Sequence, residues 1–390
     1  MITAVVGVLL CSSVNSYNFE GGTGDADNPF KISTAAQLIQ IGADPDLLAK
    51  SYILENDIDL DPALPGGRVF SGAVISTSFD DQCENADDSR LAIVQGQAVA
   101  VFRGRFSGNG HSIRNMVIDA PDGVCIGLFA YIGDDGVVDG LKIEDSCVLG
   151  QRHVGLLAGI NQGTVSQCGV SGSASGRSRI GGLIGSSSGH VICSESRARV
   201  AGENMIGGLT GHALSRSSIT GCSSSCDVSG RSNTGGLVGE MLSGILINCH
   251  TSGKVISSTN AGGIIGGGPY GGTVSMCGSS ALVRGTVVGG ISGMAQHAEI
   301  ENSYAASVLV EVRPTESRGG QLVYSGGLVG YWRASHGHIV HCCWDEDVSG
   351  AKTAVGSIEP SADLRLTLTN GVHTAEMKAA QDLISRVTGR

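Results

Sequence analysis

The sequence has few of the residues that usually fill a wide globular core or break a chain into loops. Aromatic residues make up 4% of the 390 residues, and proline occurs only 8 times. So few large side chains cannot fill one wide core. Low proline, with glycine that follows no strict three-residue period, excludes a collagen-like chain. The hydrophobic content of 41% and the mean hydropathy of +0.14 exclude a disordered polymer.

Basic charge and long apolar runs are also missing. Acidic residues exceed basic ones by 36 − 25 = 11, and no basic cluster stands out. This balance excludes the electrostatic footprint of a nucleic-acid binder and disfavours binding to an anionic membrane surface. No apolar run reaches the roughly 20 residues that a membrane-spanning helix needs. We therefore expect neither a nucleic-acid partner nor a membrane-spanning segment.

The first sixteen residues differ from the rest of the chain. Ile2 to Leu10 is apolar, and Val14-Asn15-Ser16 offers small residues for signal-peptidase cleavage before Tyr17. We predict a secretory signal peptide over residues 1–16, trimmed or truncated because the basic n-region is missing. A first buried strand is the alternative.

Glycine is abundant, with 61 residues, roughly twice ordinary usage. Much of it lies in a recurring pentapeptide, Gly-Gly-Leu-x-Gly or a close variant. Full copies begin at Gly181, Gly207, Gly235, Gly262, Gly289 and Gly326, and weaker copies begin at Gly127 and Gly155. Successive copies start 26 to 28 residues apart, with one interval of 37. A period this regular indicates a repeat architecture.

Two further columns of small or apolar residues follow each pentapeptide. The first column holds Leu141, Cys168, Cys193, Cys222, Cys249, Cys277, Ser303 and Cys342. The second, about six residues on, holds Cys147, Ala174, Val228, Val255, Val283 and Leu309. Turn-forming residues lie between them. The pattern predicts an all-β fold, a parallel, right-handed β-helix (solenoid) whose coils of roughly 26–28 residues stack about 4.8 Å apart.

The repeat resembles the GLUG motif of secreted bacterial β-solenoid, adhesin-like proteins. Similar flanking segments are Gly21-Gly22-Thr23-Gly24 near the start and Cys343-Trp344-Asp345 near the end. The resemblance implies a solenoid fold and an extracellular setting, and little chemistry. The repeat also accompanies some immunoglobulin-cleaving metallopeptidases. The zinc motif His-Glu-x-x-His is absent from this sequence, so the resemblance does not imply that activity.

The ends of a solenoid need caps. We predict an N-terminal cap and first strands over 17–120, repeats over 121–350, and a C-terminal cap over 351–390. A short helix is expected through Ala35 to Ile41, N-capped by Ser33 or Thr34, with a second from His373 to Val387, N-capped by Thr374. Two excursions leave the rod, an acidic one at 79–90 and another at 311–324.

Three groups of residues could hold a metal ion. Asp57, Asp59 and Asp61 alternate along the chain, and Asp25 and Asp27 lie in the loop from Gly24 to Asn28. The densest cluster is His336, His338, His341, Cys342 and Cys343. Calcium would suit the aspartates and zinc the histidines and cysteines. We favour solvated strand faces, and predict no metal and no cofactor.

The first column is rich in cysteine. Stacked cysteines could form disulfides, because neighbouring coils bring their Cα atoms within range. A small buried apolar position is equally well filled by a free thiol. We predict that Cys168, Cys193, Cys222, Cys249 and Cys277 point inward and are reduced. The better disulfide candidate is Cys83 with Cys125.

No coil gathers an obvious acid and base. The acids within the repeats are Glu195, Glu203, Asp227, Glu240, Glu299 and Glu301, and they share no column. A basic face could come from Arg177, Arg179, Arg197, Arg199, Arg216 and Arg231. The column two residues before the pentapeptide varies freely and is expected to face outward: His153, Arg179, Met205, Asn233, Asn260, Val287 and Tyr324. We predict no catalytic residue and a non-catalytic secreted or cell-surface scaffold that binds an extracellular glycan or surface protein. The alternative is a polysaccharide-active lyase or glycoside hydrolase.

Overall fold

The protein is a parallel β-solenoid. A computed structural model describes residues 17–76, 91–94, 97–312, 323–333, 336–360, 363–367, 369–374 and 376–377. About 10 turns of ~27 residues stack on one another, so the predicted solenoid is confirmed. The predicted signal peptide, the acidic excursion at 79–90 and most of the excursion at 311–324 lie outside the described residues.

Each central coil consists of four short strands. In one coil these are Ile184–Ser187, His190–Ile192, Glu195–Ala201 and Asn204–Gly207. We number the four sheets that result from stacking I, II, III and IV, in the order in which the chain passes through them. The pentapeptide forms the corner between sheet IV and the next strand of sheet I. Strands this short follow from the glycine, serine and asparagine residues at every corner.

Sheets I and II form the first half of each coil. The strands of sheet I are Leu91–Val94, Gln97–Phe102, Phe129–Ile132, Ala158–Asn161, Ile184–Ser187, Thr210–Ala213, Val238–Met241, Ile265–Tyr270, Ser292–Gln296, Val329–Trp332 and Val355–Ile358. The first two pair antiparallel. The strands of sheet II are Phe30–Ile32, Ser51–Leu54, Arg105–Ser107, Val137–Asp139, Thr164–Ser166, His190–Ile192, Ser218–Thr220, Ile245–Ile247, Thr273–Ser275, Glu299–Glu301, Gly337–Val340 and Leu364–Thr367.

Sheets III and IV complete the coil. The strands of sheet III are Ile58–Asp59, Ser112–Arg114, Val117–Asp119, Lys142–Leu149, Gly169–Ser175, Glu195–Ala201, Ser223–Gly230, His250–Ser257, Gly278–Ser279, Leu282–Gly285, Tyr304–Ala305, Val308–Glu311, Cys343–Asp345 and Asn370–Val372. The strands of sheet IV are Val124–Ile126, Arg152–Val154, Ser178–Gly181, Asn204–Gly207, Ser232–Gly235, Asn260–Gly262, Val287–Gly289 and Tyr324–Gly326.

The pentapeptides stack in register, as predicted. The first glycines pair coil to coil from Gly181 through Gly235 to Gly326. The leucines that follow them, such as Leu183 and Leu209, have no exposed surface and fill the core. Packing therefore fixes the leucine column, because each leucine rests on the one above and the one below.

Glycine is required where sheet IV folds back onto the outer side of sheet I. A Cβ atom on Gly235 would lie 2.0 Å from the Val238 carbonyl oxygen, and one on Gly239 would lie 2.4 Å from the backbone of the sheet IV strand that contains Met205. Neither glycine has a positive φ. Close backbone approach therefore explains these glycines.

The N-terminal coils have a different core. The described part of sheet IV begins at Val124, and the preceding coils are filled by aromatic rings. The rings of Tyr52, Phe102, Phe106 and Phe129 lie 4.9 to 6.4 Å from their neighbours. Most of the sequence's few aromatic residues that are fully buried lie in this region.

The predicted N-terminal helix is confirmed. It spans Ala35–Gln40, and Thr34 and Gln37 form a reciprocal capping box. Two 3₁₀ turns follow at Ile41–Ala43 and Pro45–Ala49. A second helix, Glu346–Ser349, was not predicted; Asp345 caps its N-terminus.

The predicted helix from His373 to Val387 lies mostly outside the described residues. Its first turn is described, and the His373 carbonyl accepts hydrogen bonds from the amides of Glu376 and Met377. The His373 amide donates to the Glu376 carboxylate. His373 therefore takes the N-cap place that the sequence analysis gave to Thr374.

Two cysteines were assigned to the wrong face. Cys193 and Cys147 are exposed, and their neighbours Ser194 and Val148 point inward instead. Cys193 has φ +47°, the left-handed conformation that the chain adopts at this corner in successive coils. Cys147 follows a register shift between Ile143 and Ser146. Cys193 was misassigned because the spacing from the pentapeptide to this corner varies between coils, so that Cys193 holds the left-handed position and Ser194 the inward one. Cys147 was misassigned because the register shift interrupts the alternation of side chains.

Candidate functional site

The alternating aspartates lie at the short strand Ile58–Asp59, which contains only Asp59. Ile58 lies between them and is buried, while Asp57 and Asp59 face outward. The Asp57 carboxylate accepts from the Ser112 amide at 2.9 Å and from the Arg114 guanidinium at 2.7 Å. The amide hydrogen bond, followed by the charge of Arg114, lowers the pKa of Asp57. Protein donors therefore occupy the oxygens that a calcium ion would need.

The other metal candidates are also used by the fold. Asp25 accepts a hydrogen bond from the Thr23 hydroxyl within its turn. His338 Nε2 lies 3.2 Å from the Glu301 carboxylate, whereas Cys342 is buried on the inner side of the coil. Within the described part of the chain, no three His, Cys, Asp or Glu side chains come together as metal ligands.

Five of the buried cysteines, Cys168, Cys222, Cys249, Cys277 and Cys342, form a ladder along the inner corner between sheets II and III. Each thiol donates to the carbonyl two residues earlier and approaches a carbonyl one coil back; for Cys249 these are Ile247 at 3.3 Å and Ile219 at 3.5 Å. Ser194 and Ser303 make the same local bond from the same position. Burial raises the pKa of Cys168 and Cys342 to about 12. These thiols are structural donors and poor nucleophiles.

The predicted disulfide between Cys83 and Cys125 cannot be placed, because Cys83 lies outside the described residues. Cys125 is a free thiol between sheets IV and I, packed among Val101, Ala130 and Tyr131. The ten described cysteines are all unpaired.

The arginines of the central coils do not form one basic face. Arg177 pairs with Glu203 at 3.6 Å, beside the corner between sheets III and IV. Arg197 pairs with Glu195 at 2.8 Å on sheet III. Arg179 lies between sheets IV and I. The arginines point in different directions because they occupy different positions of the repeat.

A cluster that the sequence analysis missed lies between sheets IV and I. We call it the polar strip: His153, Arg179 and Asn233 from sheet IV, with Ser186, His212 and Glu240 from sheet I. His153 is 7% exposed and His212 is 6% exposed. The expectation that the column containing His153 faces freely outward is therefore wrong for that residue, because sheet IV lies directly on sheet I.

Hydrogen bonds fix the chemistry of the strip. His153 Nδ1 lies 2.9 Å from the Ser186 hydroxyl, and its Nε2 lies 3.3 Å from the Arg179 guanidinium. Arginine only donates, so Nε2 holds the lone pair and Nδ1 carries the proton. The nitrogen that faces Ser186 therefore cannot remove its proton. With Ser186 itself buried, the pair is not a nucleophile and base.

The electrostatics of the strip favour neutral histidines. Burial, followed by the charge of Arg179, lowers the pKa of His153 to about 3 and that of His212 to about 4. Burial raises the pKa of Glu240, although its hydrogen bond from Asn233 opposes the shift. His212 Nε2 has no hydrogen-bond partner and lies 4.0 Å from the Glu240 carboxylate.

The sequence does contain a signal for this strip. Ser186, His212 and Glu240 each follow directly after a pentapeptide, in three successive coils. These three polar residues share one column of the repeat, and that pattern could have been recognised from the sequence. Their partners on sheet IV could not, because His153 and Ser186 are 33 residues apart and meet through the fold-back of sheet IV.

A second cluster lies on the outer face of sheet II near the C-terminal end. Glu299 and Glu301 lie on the same outer face, because Ile300 between them points inward. His338 and Arg365 follow Glu299 on the next two strands. A shallow pocket of about 300 Å³ adjoins them, lined in part by His336 and Asp363. We call this the acid–histidine cluster. The repeat acids share no column, but Glu299 and Glu301 nevertheless share a face because they lie two residues apart on one strand.

The outer face of sheet III carries an unusual surface. We call it the aliphatic–cationic patch; its members are Lys254, Ile256, Leu282, Arg284, Val308 and Val310. They occupy two adjacent columns on three neighbouring strands. Ile256 is 41% exposed, Val308 43% and Val310 36%. Large aliphatic side chains clustered on a strand's solvent face indicate a contact surface.

Comparisons with known proteins give partial matches. No family model matches the chain. It is 29% identical over 182 residues to "Halomucin" of Haloquadratum walsbyi, and 30% identical over 158 residues to a "Putative Gly-rich membrane protein" of Evansella cellulosilytica. These matches cover 45% and 39% of this chain but span only 2% and 15% of the length of those curated relatives.

Two solved structures are similar at low scores. One, titled a putative immunoglobulin A1 protease from Bacteroides ovatus, has a TM-score of 0.43 and 17% identity, covering 80% of this chain and 86% of that one. The other, titled "IgA1 Protease", has a TM-score of 0.31 and 14% identity, covering 91% of this chain and 24% of that one. Over the residues that the structure describes, no helix has both the length and the apolar character to cross a membrane.

Proposed function

We propose that this protein is a non-catalytic, extracellular or cell-surface β-solenoid of the GLUG-repeat type that binds a surface protein. The observation that carries the proposal is the aliphatic–cationic patch. Farther toward the N-terminus, the column of sheet III that contains Lys254 holds Ser173, Arg199 and Asp227, which are ordinary solvated residues. The change from a polar to an aliphatic face has no role in the core, because these side chains point away from it.

The chemistry of the patch indicates its partner. Exposed Ile256, Val308 and Val310 would bury apolar area, while Lys254 and Arg284 would meet acidic groups at the rim. Aliphatic side chains without an aromatic platform suit a protein better than a sugar ring. A cell-surface setting agrees with the partial match to a protein named as a Gly-rich membrane protein. The partner class we favour is an extracellular protein with an acidic, apolar contact region, and an acidic glycan is the alternative.

Binding arrays of surface proteins and of acidic glycans would test this proposal. The combined variant Val308→Ser, Val310→Ser and Arg284→Gln should lose binding by more than tenfold. The matched control, Ile192→Ser with Ile245→Ser on the outer face of sheet II, should bind normally. Selective binding to glycans that the patch variant leaves unchanged would contradict the proposal.

A specific observation favours one second function, polysaccharide hydrolysis at the acid–histidine cluster. Residues two apart on a strand are separated by about 6.6 Å, so Glu299 and Glu301 could place two carboxylates within the roughly 5–9 Å that glycoside hydrolysis uses. One would protonate the leaving oxygen and the other would act on water or on the sugar. The hydrolysis proposal would replace the binding proposal if the protein releases reducing ends from a polysaccharide. This activity should be lost in Glu299→Gln and in Glu301→Gln but kept in Glu195→Gln.

His341→Ala changes a residue next to the cluster in sequence and should leave any binding unchanged.

A further inference from the structure

The backbones of sheet IV and sheet I lie very close to each other. Glycine backbones meet along most of the interface, as at Gly211 and the backbone of Arg179, where an added Cβ would lie 2.5 Å away. The polar strip inserts titratable side chains into this otherwise glycine-lined interface. The hydrogen bonds of the strip add to the glycine contacts in these coils, and which atoms donate and accept in them depends on the protonation of the histidines.

We propose that the polar strip is an acid-sensitive latch: protonation of His153, together with His212, releases sheet IV from sheet I over the coils that carry the strip. The latch would be set at neutral pH and released in mildly acidic surroundings. This goes beyond the proposed binding function and does not depend on it.

His153 is the centre of the latch. Its Nε2 accepts from Arg179 and its Nδ1–H donates to Ser186. A proton added at Nε2 would turn that acceptor into a donor facing another donor, so the hydrogen bond would be lost. The new positive charge would also face Arg179, with Arg152 beside it in the chain and His212 across the interface. Protonation thus replaces an attractive contact by a repulsive one.

His212 responds more weakly because its surroundings are mixed. Arg179 opposes its protonation, while the Glu240 carboxylate at 4.0 Å favours it. Glu240 is itself held by Asn233, and it lies close enough to Tyr270 to interact with it, as does Arg333. Protonated His212 would therefore pair with Glu240, and His153 remains the group whose charge finds no acidic partner.

Burial strengthens the coupling between protonation and opening. The closed strip holds the pKa of both histidines far below the roughly 6.5 of an exposed histidine. An opened strip would take up protons below that pH. For each pH unit below about 6.5, the equilibrium between the closed and the open strip therefore shifts toward the open form by up to about tenfold per histidine.

The protein contains its own control. Farther along sheet IV, the column of His153 holds Asn260 and then Val287, which do not titrate. Glycine contacts between sheets IV and I continue there, as at Gly293 and the backbone of Ala261. Opening in acid should therefore be confined to the strands Arg152–Val154 and Ser178–Gly181 and should spare Val287–Gly289.

Amide hydrogen exchange on the full chain at pH 7 and pH 5, corrected for intrinsic rates, tests the latch. Protection of Arg152–Val154 and Ser178–Gly181 should fall on the order of tenfold relative to Val287–Gly289. His153→Gln should remove most of this difference. His190→Gln, an exposed histidine on sheet II in the same region, should not. An equal fall in both regions, or none, would overturn the proposal.

A measurement on the unmodified protein tests the latch even if the variants fail to fold. The ring proton signals of His153 can be followed by NMR between pH 7 and pH 5. Under the latch proposal they should shift together with the opening of sheet IV. If His153 titrates near pH 6.5 while sheet IV stays fully protected, the latch does not exist.

Discussion

The N-terminal coils and the central coils fill the same kind of solenoid in two different ways. Before Val124 the interior is filled by packed aromatic rings, such as Tyr52 and Phe102 with centroids 6.4 Å apart. After it, sheet IV folds onto sheet I, and the interior holds leucine, isoleucine, valine and cysteine. In the N-terminal coils large side chains fill the interior. In the central coils two sheets lie so close that their backbones are in contact.

This difference explains the composition of the chain. A core built of layers needs residues without side chains where the layers meet, which accounts for the glycine excess in the repeats. It also leaves little room for rings, and so aromatic residues are rare overall. The two regions should therefore fail under opposite kinds of substitution: added bulk in the central coils, and lost bulk in the N-terminal coils.

Added bulk should have the largest effect. Gly235→Val is expected to cost about 4 kcal/mol or more, because its Cβ would meet the Val238 carbonyl oxygen at 2.0 Å. Gly72→Val is the matched control in the N-terminal region, since an added Cβ there meets nothing within 4 Å. Urea unfolding of the two variants measures the contrast. Similar stabilities would contradict the layered packing.

Lost bulk should have nearly as large an effect in the N-terminal region. Phe106→Ala is expected to lower the free energy of unfolding by about 3–5 kcal/mol, because the ring is fully buried and contacts two other rings. Differential scanning calorimetry would detect the change. A loss below about 1 kcal/mol would show that the ring stack is not what supports these coils.

Acid should destabilise the central coils by an intermediate amount. Both strip histidines have folded pKa values below their unfolded value of about 6.5, so the unfolded chain binds more protons and stability falls as the pH falls below 6.5. At pH 5 the loss is about 2 kcal/mol per histidine. The raised pKa of Glu240 acts in the opposite sense and offsets part of it. Urea midpoints at pH 7 and pH 5 measure the sum, and His153→Gln should reduce it.

The cysteine ladder should tolerate serine. Cys249→Ser is expected to cost only about 1 kcal/mol, because Ser194 and Ser303 already make the same carbonyl hydrogen bond at that corner. Cys249→Leu should cost more, through overpacking. If serine proves as costly as leucine, the thiol's size rather than its donor role is what the site selects.

The smallest expected effect concerns only how fast the cysteine thiols react with a reagent. In the native protein Cys147 and Cys193 should react with a thiol reagent within minutes, whereas Cys168, Cys222 and Cys277 should resist it. After denaturation all should titrate as free thiols. Paired ladder cysteines would contradict the structure.

Sequence periodicity was enough to predict the coil and the inward leucine column, because each copy of the pentapeptide repeats one packing environment. It was not enough to place Cys193, because the spacing from the pentapeptide to the corner varies between coils; Cys193 takes the left-handed corner position, and Ser194 points inward. It could have revealed the sheet I half of the polar strip, Ser186, His212 and Glu240, but not the partners of these residues on sheet IV. That contact depends on sheet IV doubling back, and no local pattern states which coil His153 will reach.

The direction of the interstrand hydrogen bonds has a mechanical consequence. Because the sheets are parallel and the coils stack, these bonds run along the rod axis, so a pull on the two ends loads one strand pair at a time. The rod should therefore unzip coil by coil rather than shear as a unit. Each coil of ~27 residues would release about 90 Å of chain, giving a series of evenly spaced, low-force steps. On a surface, such a rod would lengthen step by step under load and would dissipate the mechanical work in each step.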